Sequence, residues 1–271
     1  MVSPPAPLLR TASLHSMRFA PTALWRGLLA TLFAAPLILG AQSGYAVGNG
    51  YFFHRPIVSV TVRGGVDRPT ASSDIWTFTT TNLTVNKGDF LAPGYQVDLG
   101  LRFSNRAEMV FTAGSSTAAA PSEFRKYIDN NDKPIQQTTR LHRIPVTIGA
   151  RYALRAPEEQ LGHFAWIPSR FTPWIGGGAG FMNYTFSQIG DFVDFQTLNV
   201  FKQEYSATSW TPMGYANLGL DMKLTTRVSL SGDLRYSFAR APLDTPDSKF
   251  VGFGKIDLSG TAATIGLTFR M

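Results

Sequence analysis

The chain has 271 residues, of which only 16% are charged and 13% are aromatic, and it contains 25 glycines and no cysteine. The charged fraction is below the value of about 25% that is usual for a soluble domain. A disordered chain is poor in aromatic rings, so the aromatic content argues against disorder. The lack of cysteine excludes disulfide bonds, thiolate zinc sites and a lipid-modified cysteine. The formal net charge of +7 is spread without runs of lysine or arginine, which argues against nucleic acid as a partner.

The amino-terminal segment has the pattern of a secretory signal peptide. Two arginines are followed by an apolar stretch over 27–39 and by small residues that end at Ala46. We therefore predict a cleaved signal peptide over 1–46, with a retained membrane anchor as the alternative. Met17 is an alternative start, because the residues before it contain several prolines and no periodicity. Residues 47–55 are predicted to be a lead-in to the folded part.

From residue 56 onward the chain alternates between apolar and polar residues with a period of two. Between Tyr95 and Phe103, for example, the odd positions are apolar and the even positions are polar or small. Such alternation indicates a β-strand with one apolar and one polar face. The pattern recurs near 56–63, 107–114, 144–152, 171–186, 216–224, 228–238 and 263–271. The sequence therefore predicts eight strands.

Alternation of this kind suits a soluble β-sandwich as well as a membrane barrel. The predicted connections fall at 64–93, 104–107, 115–138, 155–170, 187–208, 225–226 and 239–255. Long loops at one end and tight turns at the other are typical of outer-membrane barrels. The fourth connection, 155–170, is too long for a tight turn, and this weakens the predicted pairing of the fourth and fifth strands.

The polar faces of the predicted strands carry six cations and four anions on one side. They are Arg63, Asp98, Arg102, Glu108, Arg151, Asp221, Lys223, Asp233, Arg235 and Arg270. In a sandwich these side chains would face water, whereas in a closed barrel they would fill the interior as an ion-paired network. The opposite faces carry almost no charge. A surface that contacts lipid must lack charge, whereas a surface that contacts water need not. We therefore predict an all-β fold, an eight-stranded antiparallel transmembrane up-and-down barrel over 56–271.

Three segments are informative beyond their alternation: IPVTIGARY at 144–152, PWIGGGAGFMNY at 173–184 and the closing strand GTAATIGLTFRM at 260–271. Together they resemble the small eight-stranded outer-membrane β-barrel family, the broad group of opacity-like and OmpA-membrane-domain-like proteins. In that family the closing strand carries an assembly signal, whose places Thr264, Gly266, Phe269 and Met271 occupy here; the last is usually Phe. The resemblance implies a bacterial outer-membrane location, contact with outer-membrane lipid, and the barrel-assembly machinery as a partner.

Several motifs that suggest binding sites have simpler explanations. GGGAG at 176–180 lacks the spacing and the following helix of a nucleotide-binding loop, and its glycines are predicted to thin the barrel wall. DNND at 129–132 lacks the glycine and glutamate of a calcium loop and is predicted to be a polar turn. Aromatic girdles at the two membrane surfaces are the interpretation of Trp76, Phe78, Trp166, Trp174 and Trp210. No cofactor or metal site is predicted.

The leading hypothesis for function is a non-enzymatic, monomeric outer-membrane barrel that serves envelope structure, surface contact or adhesion through four long outer loops. A narrow channel for small solutes is the alternative, although eight strands enclose a lumen that side chains fill. A lipid-modifying enzyme is a third hypothesis, in which His142 would work with Ser115 or Ser116. The sequence does not identify a surface ligand.

Overall fold

The computed structural model describes residues 56–128, 132–160, 166–194, 199–243, 250 and 252–271. The predicted signal peptide over 1–46 and lead-in over 47–55 lie outside these residues and stay predictions. Among the described residues, no helix is long and apolar enough to cross a membrane.

The described chain is built almost entirely of strands. They are β1 (Val58–Pro69), β2 (Ala92–Arg102), β3 (Ala107–Ile128), β4 (Pro134–Ala153), β5 (Glu158–Gln160), β6 (Trp166–Pro168), β7 (Phe171–Val193), β8 (Val200–Lys223), β9 (Val228–Pro242), β10 (Lys255–Asp257) and β11 (Gly260–Arg270). Helix α1 (Asp74–Asn82) and a 3-10 turn (Lys87–Phe90) lie between β1 and β2.

Eight strands close into a ring in which all neighbours are antiparallel. Pairing runs through β1, β2, β3, β4, β7, β8, β9 and β11, and β11 pairs back to β1. Following paired residues once around the ring from Ser59 leads to Pro69, ten residues further along β1. A ring with this strand number and stagger has tilted strands and an interior that side chains can fill. The predicted fold is therefore confirmed.

The outer surface of the ring carries an apolar belt. Outward positions hold exposed apolar side chains, as at Leu99, Ile148 and Leu218, while their neighbours Asp98 and Thr147 are buried inside. Large apolar side chains exposed around an entire closed ring need a non-aqueous surrounding. The belt therefore faces lipid, as the alternation predicted.

Beyond the belt, at the end of the barrel where β1 leads into α1, the alternation reverses its polarity. On β3, Ala118, Ala120 and Phe124 are buried inside, whereas Thr117 and Glu123 are exposed outside. The same reversal on the neighbouring strands produces a four-stranded raised sheet, made of residues 117–128, 134–142, 184–193 and 200–210.

The raised sheet corrects the prediction of long loops at 115–138 and 187–208. Those segments are mostly strand: only residues 129–133 separate β3 from β4, and only residues 194–199 separate β7 from β8. The prediction failed because it sought apolar residues on the outward face, and here they point inward. Residues 129–131 of the predicted DNND turn lie outside the described residues; the described one, Asp132, has φ 58°.

The remaining connections also contain structure. The segment predicted as a loop over 64–93 holds the end of β1, α1 and the 3-10 turn, and that over 239–255 holds the end of β9 and the start of β10. The long connection at 155–170 contains the β5–β6 hairpin. Strands β4 and β7, on either side of it, pair directly from Gln137–Gly190 to Ala153–Trp174.

Candidate functional site: the barrel interior and the raised sheet

The lower interior, enclosed by the apolar belt, is filled by charged side chains. Arg63 lies at its centre, with Nη1 2.7 Å from Asp98 Oδ2 and 3.5 Å from Asp233 Oδ2. Its Nη2 also donates to Ser231 Oγ at 3.0 Å. Both ion pairs are almost completely buried, so each charge depends on its partner for the solvation that water would otherwise provide.

Hydrogen bonds and ring contacts extend this central cluster. Asn217 donates to Asp233 Oδ2 at 2.6 Å, and Arg235 Nε lies 3.9 Å from Asp233 Oδ1. The Arg235 guanidinium stands over the ring of Tyr215, 4.2 Å from its centroid. Cation–π contact of this kind compensates in part for lost hydration.

Two further ion pairs lie nearer the end of the barrel at which β1 begins and β11 ends, which we call the turn end. Arg151 Nη2 is 2.9 Å from Glu108 Oε2, and Arg270 Nη2 is 3.2 Å from Asp221 Oδ2. Ser59 donates to Glu108 and Ser231 donates to Asp221. These contacts join neighbouring and next-nearest strands along the inner wall: β3 to β4 and to β1, and β8 to β9 and to β11.

Two of the predicted interior residues lie at the margin of this network. Arg102 Nη1 is 4.0 Å from Glu158 Oε2, so it reaches toward the β5–β6 hairpin rather than the centre. Lys223 is half-buried at the end of β8, and its backbone N–H donates to the carbonyl of Arg170 at 3.0 Å. The structure therefore brings eight of the ten predicted residues into the ion-paired interior.

One more interior ion pair, between β4 and β1, was not predicted from the sequence. Arg143 Nη2 is 2.7 Å from Asp67 Oδ2, and Arg143 Nη1 donates to the carbonyl of Leu258 at 3.1 Å. Ser116 Oγ donates to the same Asp67 carboxylate oxygen at 2.7 Å. Asp67 continues the inward register of Arg63, and Arg143 that of Arg151, so extending the alternation would have found both.

Trp174 was also misinterpreted, as a girdle residue. It is 3% exposed and lies inside the lumen, where Nε1 donates to Asp221 Oδ1 at 3.2 Å. The guanidinium of Arg151 is 4.7 Å from its ring centroid and that of Arg63 is 5.7 Å away. Trp76 is fully buried as well, whereas Trp210 is 49% exposed outward as a girdle residue would be.

Glycines make room for the aromatic rings inside the lower barrel. A Cβ at Gly149 would collide with the hydroxyl of Tyr215, and one at Gly219 would collide with the ring of Trp174. Tyr215 reaches Gly149 by crossing β7 at Gly178. This arrangement supports the interpretation of the 176–180 glycines as a thinned wall.

The interior between these side chains is divided into small cavities. Three of them have volumes of about 30, 10 and 50 Å³ and lie at the turn end, around Arg63, and next to Arg143. Each holds at most a few water molecules. Within the described part of the chain, the charged side chains thus leave no wide passage through the belt region.

The upper interior, enclosed by the raised sheet, is apolar. Its core is built around Trp76, whose ring packs edge-on against Phe90 at 4.7 Å and Phe186 at 5.3 Å. Ile75 of the same helix is 1% exposed. Helix α1 therefore closes the loop end of the barrel as a plug.

Asp257 of β10 holds the plug to the part of the wall formed by β9. Its Oδ2 accepts from the backbone N–H and the hydroxyl of Ser72, at 3.2 and 2.6 Å, and its carbonyl accepts from Trp76 Nε1 at 3.0 Å. Burial disfavours the charged carboxylate, but hydrogen bonds from Ser72 and Ser259 outweigh burial and hold the pKa of Asp257 below its ordinary value. The carboxylate is thus charged where it joins α1 to β10.

His142 lies on the outer face of β4, with Nδ1 2.6 Å from Thr117 Oγ1. The register places Arg143, not His142, opposite Ser116. The pairing with a serine that the enzyme hypothesis required is therefore not formed. Among the described residues, no group of three or more His, Cys, Asp or Glu side chains is arranged to hold a metal ion.

The four residues of the predicted assembly signal lie on the closing strand. Phe269 and Met271 are exposed on the belt side, and Thr264 lies opposite Gly65 of β1. Gly266 lies opposite Arg63, where a Cβ would meet the backbone of β1. Their role as a signal stays a prediction.

The two edges of the raised sheet differ. Beyond Ser116, the β3 edge is covered by the segment after α1: Thr84 N–H donates to the Glu123 carbonyl at 2.8 Å, and Leu83 forms a bridge with Phe124. Along β8, pairing with β9 starts only at Met213–Ala239. Among the described residues, none pairs with residues 200–209 of β8 on that side.

No protein-family profile and no curated protein sequence matches the chain. Solved structures similar to it include Neisserial surface protein A (10% identity, TM-score 0.42, covering 79% of this chain and 97% of that one). OprG from Pseudomonas aeruginosa has 13% identity, a TM-score of 0.42, and coverage of 81% and 99%. The outer membrane protease OmpT from Escherichia coli has 7% identity, a TM-score of 0.40, and coverage of 83% and 99%.

The assignment of the chain follows from its own geometry. Closed barrels with an apolar outer belt and a polar interior cross the bacterial outer membrane, since closure satisfies every backbone group in lipid. The ring of eight strands, the belt and the ion-paired lumen have all of these properties. The chain is therefore an eight-stranded outer-membrane β-barrel protein.

Proposed function

We propose that this protein is a non-enzymatic outer-membrane barrel that makes contacts at the cell surface, with the raised sheet and its connections as the working surface. The observation that carries the proposal is the raised sheet itself. Anchoring in lipid needs only about 9–11 residues per strand, yet β3, β4, β7 and β8 have 22, 20, 23 and 24. The additional residues form an ordered polar surface outside the belt.

The interior supports a contact function over transport. Salt bridges around Arg63 and the aromatic packing around Trp76 block the lumen at two levels. A solute passing through would have to break both. A channel requires reproducible conductance in planar bilayers, and we expect the purified protein to show none.

The absence of cysteine from the chain allows a direct test on intact cells. Thr138→Cys places a single thiol on the outer face of the raised sheet, and Thr225→Cys places one in the β8–β9 turn at the opposite end. We expect a large polymer maleimide to modify only the first variant on intact cells. Labelling of the second variant alone would reverse the orientation and contradict the proposal.

The same variants test the function. Cells that express the protein are compared with vector-only cells for adhesion to polystyrene, to immobilised fibronectin and to one another. We expect expression to increase at least one of these, and polymer attached at Thr138→Cys to reduce that increase about fivefold, because a surface contact needs close approach. If expression increases none of the three, the contact function is wrong.

The enzyme hypothesis has its own measurement. Mass spectra of lipid A from expressing cells should match those of vector-only cells, and His142→Ala should change nothing. A lipid modification that disappears in His142→Ala would replace the proposed function.

A further inference from the structure

Among the described residues, nothing covers the β8 edge over 200–209, and packing does not explain this feature of the raised sheet. A strand edge presents unpaired N–H and C=O groups, and proteins usually cover such edges or keep them short. Here the β3 edge is covered by Leu83 and Thr84, with Arg125 Nε donating to the Leu83 carbonyl at 2.8 Å. The β8 edge over 200–209 has no such cover among the described residues. It can accept an added strand.

The sequence of this edge is self-complementary. Lys202 and Glu204 lie one residue before and after Gln203, and Phe201 and Tyr205 lie two residues before and after it. When two copies of this strand pair antiparallel about a two-fold axis at Gln203, each Lys202 lies opposite a Glu204 and each Phe201 opposite a Tyr205. Opposite charges and paired aromatic rings are both favourable directly across an antiparallel pair.

The two sets of side chains lie on different faces, as such pairing requires. Lys202 and Glu204 are exposed on the outer face. Tyr205 packs inside against Phe192, with ring centroids 4.6 Å apart, and Phe201 lies beside the same ring at 6.2 Å. A two-fold axis perpendicular to the sheet keeps each face on its own side, so both contacts form at once.

We propose that two copies of this protein on facing membranes join edge to edge through antiparallel pairing of β8 residues 200–206, with Gln203 at the two-fold axis. This partner assignment rests on the proposed contact function. Copies in one membrane stand the same way up, so their β8 strands run parallel, whereas the self-complementary register needs opposite directions. The contact therefore joins cells and not neighbours within one membrane.

A single strand pair is a small interface, and its affinity is correspondingly low. Many copies on two facing surfaces act together, and multivalency raises the overall strength by orders of magnitude. Adhesion of expressing cells or of protein-containing vesicles to one another is therefore the sensitive measurement.

Charge reversal tests the partner and the register together. In vesicles that carry the purified full-length protein, Lys202→Glu or Glu204→Lys should each reduce vesicle clustering, measured by light scattering, about tenfold, because like charges then face each other. Mixing vesicles of the two variants should restore clustering between them. Glu123→Lys, an exposed reversal on the covered β3 edge, is the matched control and should cluster like the unaltered protein.

A cross-link tests the two-fold axis itself. Gln203→Cys should form a disulfide-linked dimer when two vesicle populations are mixed under oxidising conditions, since the axis brings this position next to its own copy. Ser206→Cys lies on the same edge but opposite Val200 of the other copy, and it should stay monomeric.

The outcomes separate this inference from the proposed function. If the mixed charge variants fail to cluster, or if Ser206→Cys cross-links as well as Gln203→Cys, the self-pairing is wrong. Should expressing cells then still adhere to polystyrene or fibronectin, the contact function stands and its partner is a different molecule. Normal migration of the folded barrel on unheated gels verifies that each variant is folded.

Discussion

The four long strands run through both the belt region and the raised sheet, but the two regions have opposite polarity. In the belt, Ile148 faces outward and Arg151 inward; in the raised sheet, Arg140 faces outward and Leu141 inward. The strand geometry is continuous, so the surrounding medium determines which face is apolar. Lipid outside requires a polar filling inside, whereas water outside permits a conventional apolar core.

This comparison predicts that stability depends most on charged residues that lie in the interior of the belt region. Arg63→Met leaves the buried carboxylates of Asp98 and Asp233 without their main partner, so we expect the free energy of unfolding to fall by about 3–5 kcal/mol. Urea titration of the barrel in lipid vesicles measures it. The control is Arg140→Met on the exposed face of the raised sheet, with an expected change within about 0.5 kcal/mol. Equal losses would contradict the assigned burial of Arg63.

In the raised sheet the apolar filling should be the sensitive part. Trp76→Ala removes the centre of the upper core, and core truncations of this kind cost about 3–5 kcal/mol. We expect the loss to appear in the plug, as faster amide hydrogen exchange of α1, while belt amides keep their protection. Phe78→Ala, on the same helix but 37% exposed, should have a smaller effect. Uniform deprotection of the whole barrel would show that the two regions are not separable.

Substitution of outward-facing residues should show that lipid surrounds the belt region and that water surrounds the raised sheet. Ile148→Arg places a charge against lipid and should destabilise by about 2–4 kcal/mol if it lies near the midplane. Ser206→Arg places the same charge against water and should change stability by no more than about 0.5 kcal/mol. Folding yield and urea midpoint in vesicles measure both. A similar cost at both positions would mean that the belt extends over the raised sheet.

The smallest expected effect is the pH dependence of the plug. Because the folded state holds the pKa of Asp257 below its ordinary value, this carboxylate contributes stability that is present above the unfolded pKa of about 3.9. That contribution is lost as the pH falls through the folded pKa. The protection of α1 amides, corrected for the intrinsic pH dependence of exchange, should therefore decrease on acidification, and less so in Asp257→Asn than in the exposed control Asp132→Asn, which lies outside α1. Identical acid responses would exclude Asp257 as the group responsible.

Much of the fold could be predicted because period-two alternation is a local property of the sequence. It identified Arg63, Asp98 and Asp233 as residues of one face, and closure of the ring brought them together. Arg143 and Asp67 were missed only because the alternation was not followed past the belt. Their register was available in the sequence.

Helix α1 was not predictable in the same way. Its sequence, DIWTFTTTN, is rich in threonine, a poor helix former. An isolated helix of nine residues is unstable in water, so tertiary packing must supply its stability. Trp76 and Phe186, which are 110 residues apart, provide that packing. Such long-range contacts leave no periodic trace in the sequence.

Closure of the ring also constrains the time course of folding. Ser59 pairs with Arg270, so the first strand of the barrel, which also pairs with β2, finds its second partner only when the last strand has emerged from export. Joining chain ends over such a span carries a large entropic cost before any closing bond forms, and folds dominated by distant pairings form slowly. Until that moment β1 exposes a row of free amides beside valines. The interval before closure is therefore when the unfinished chain is most prone to aggregate, and a truncated product would remain in that state permanently.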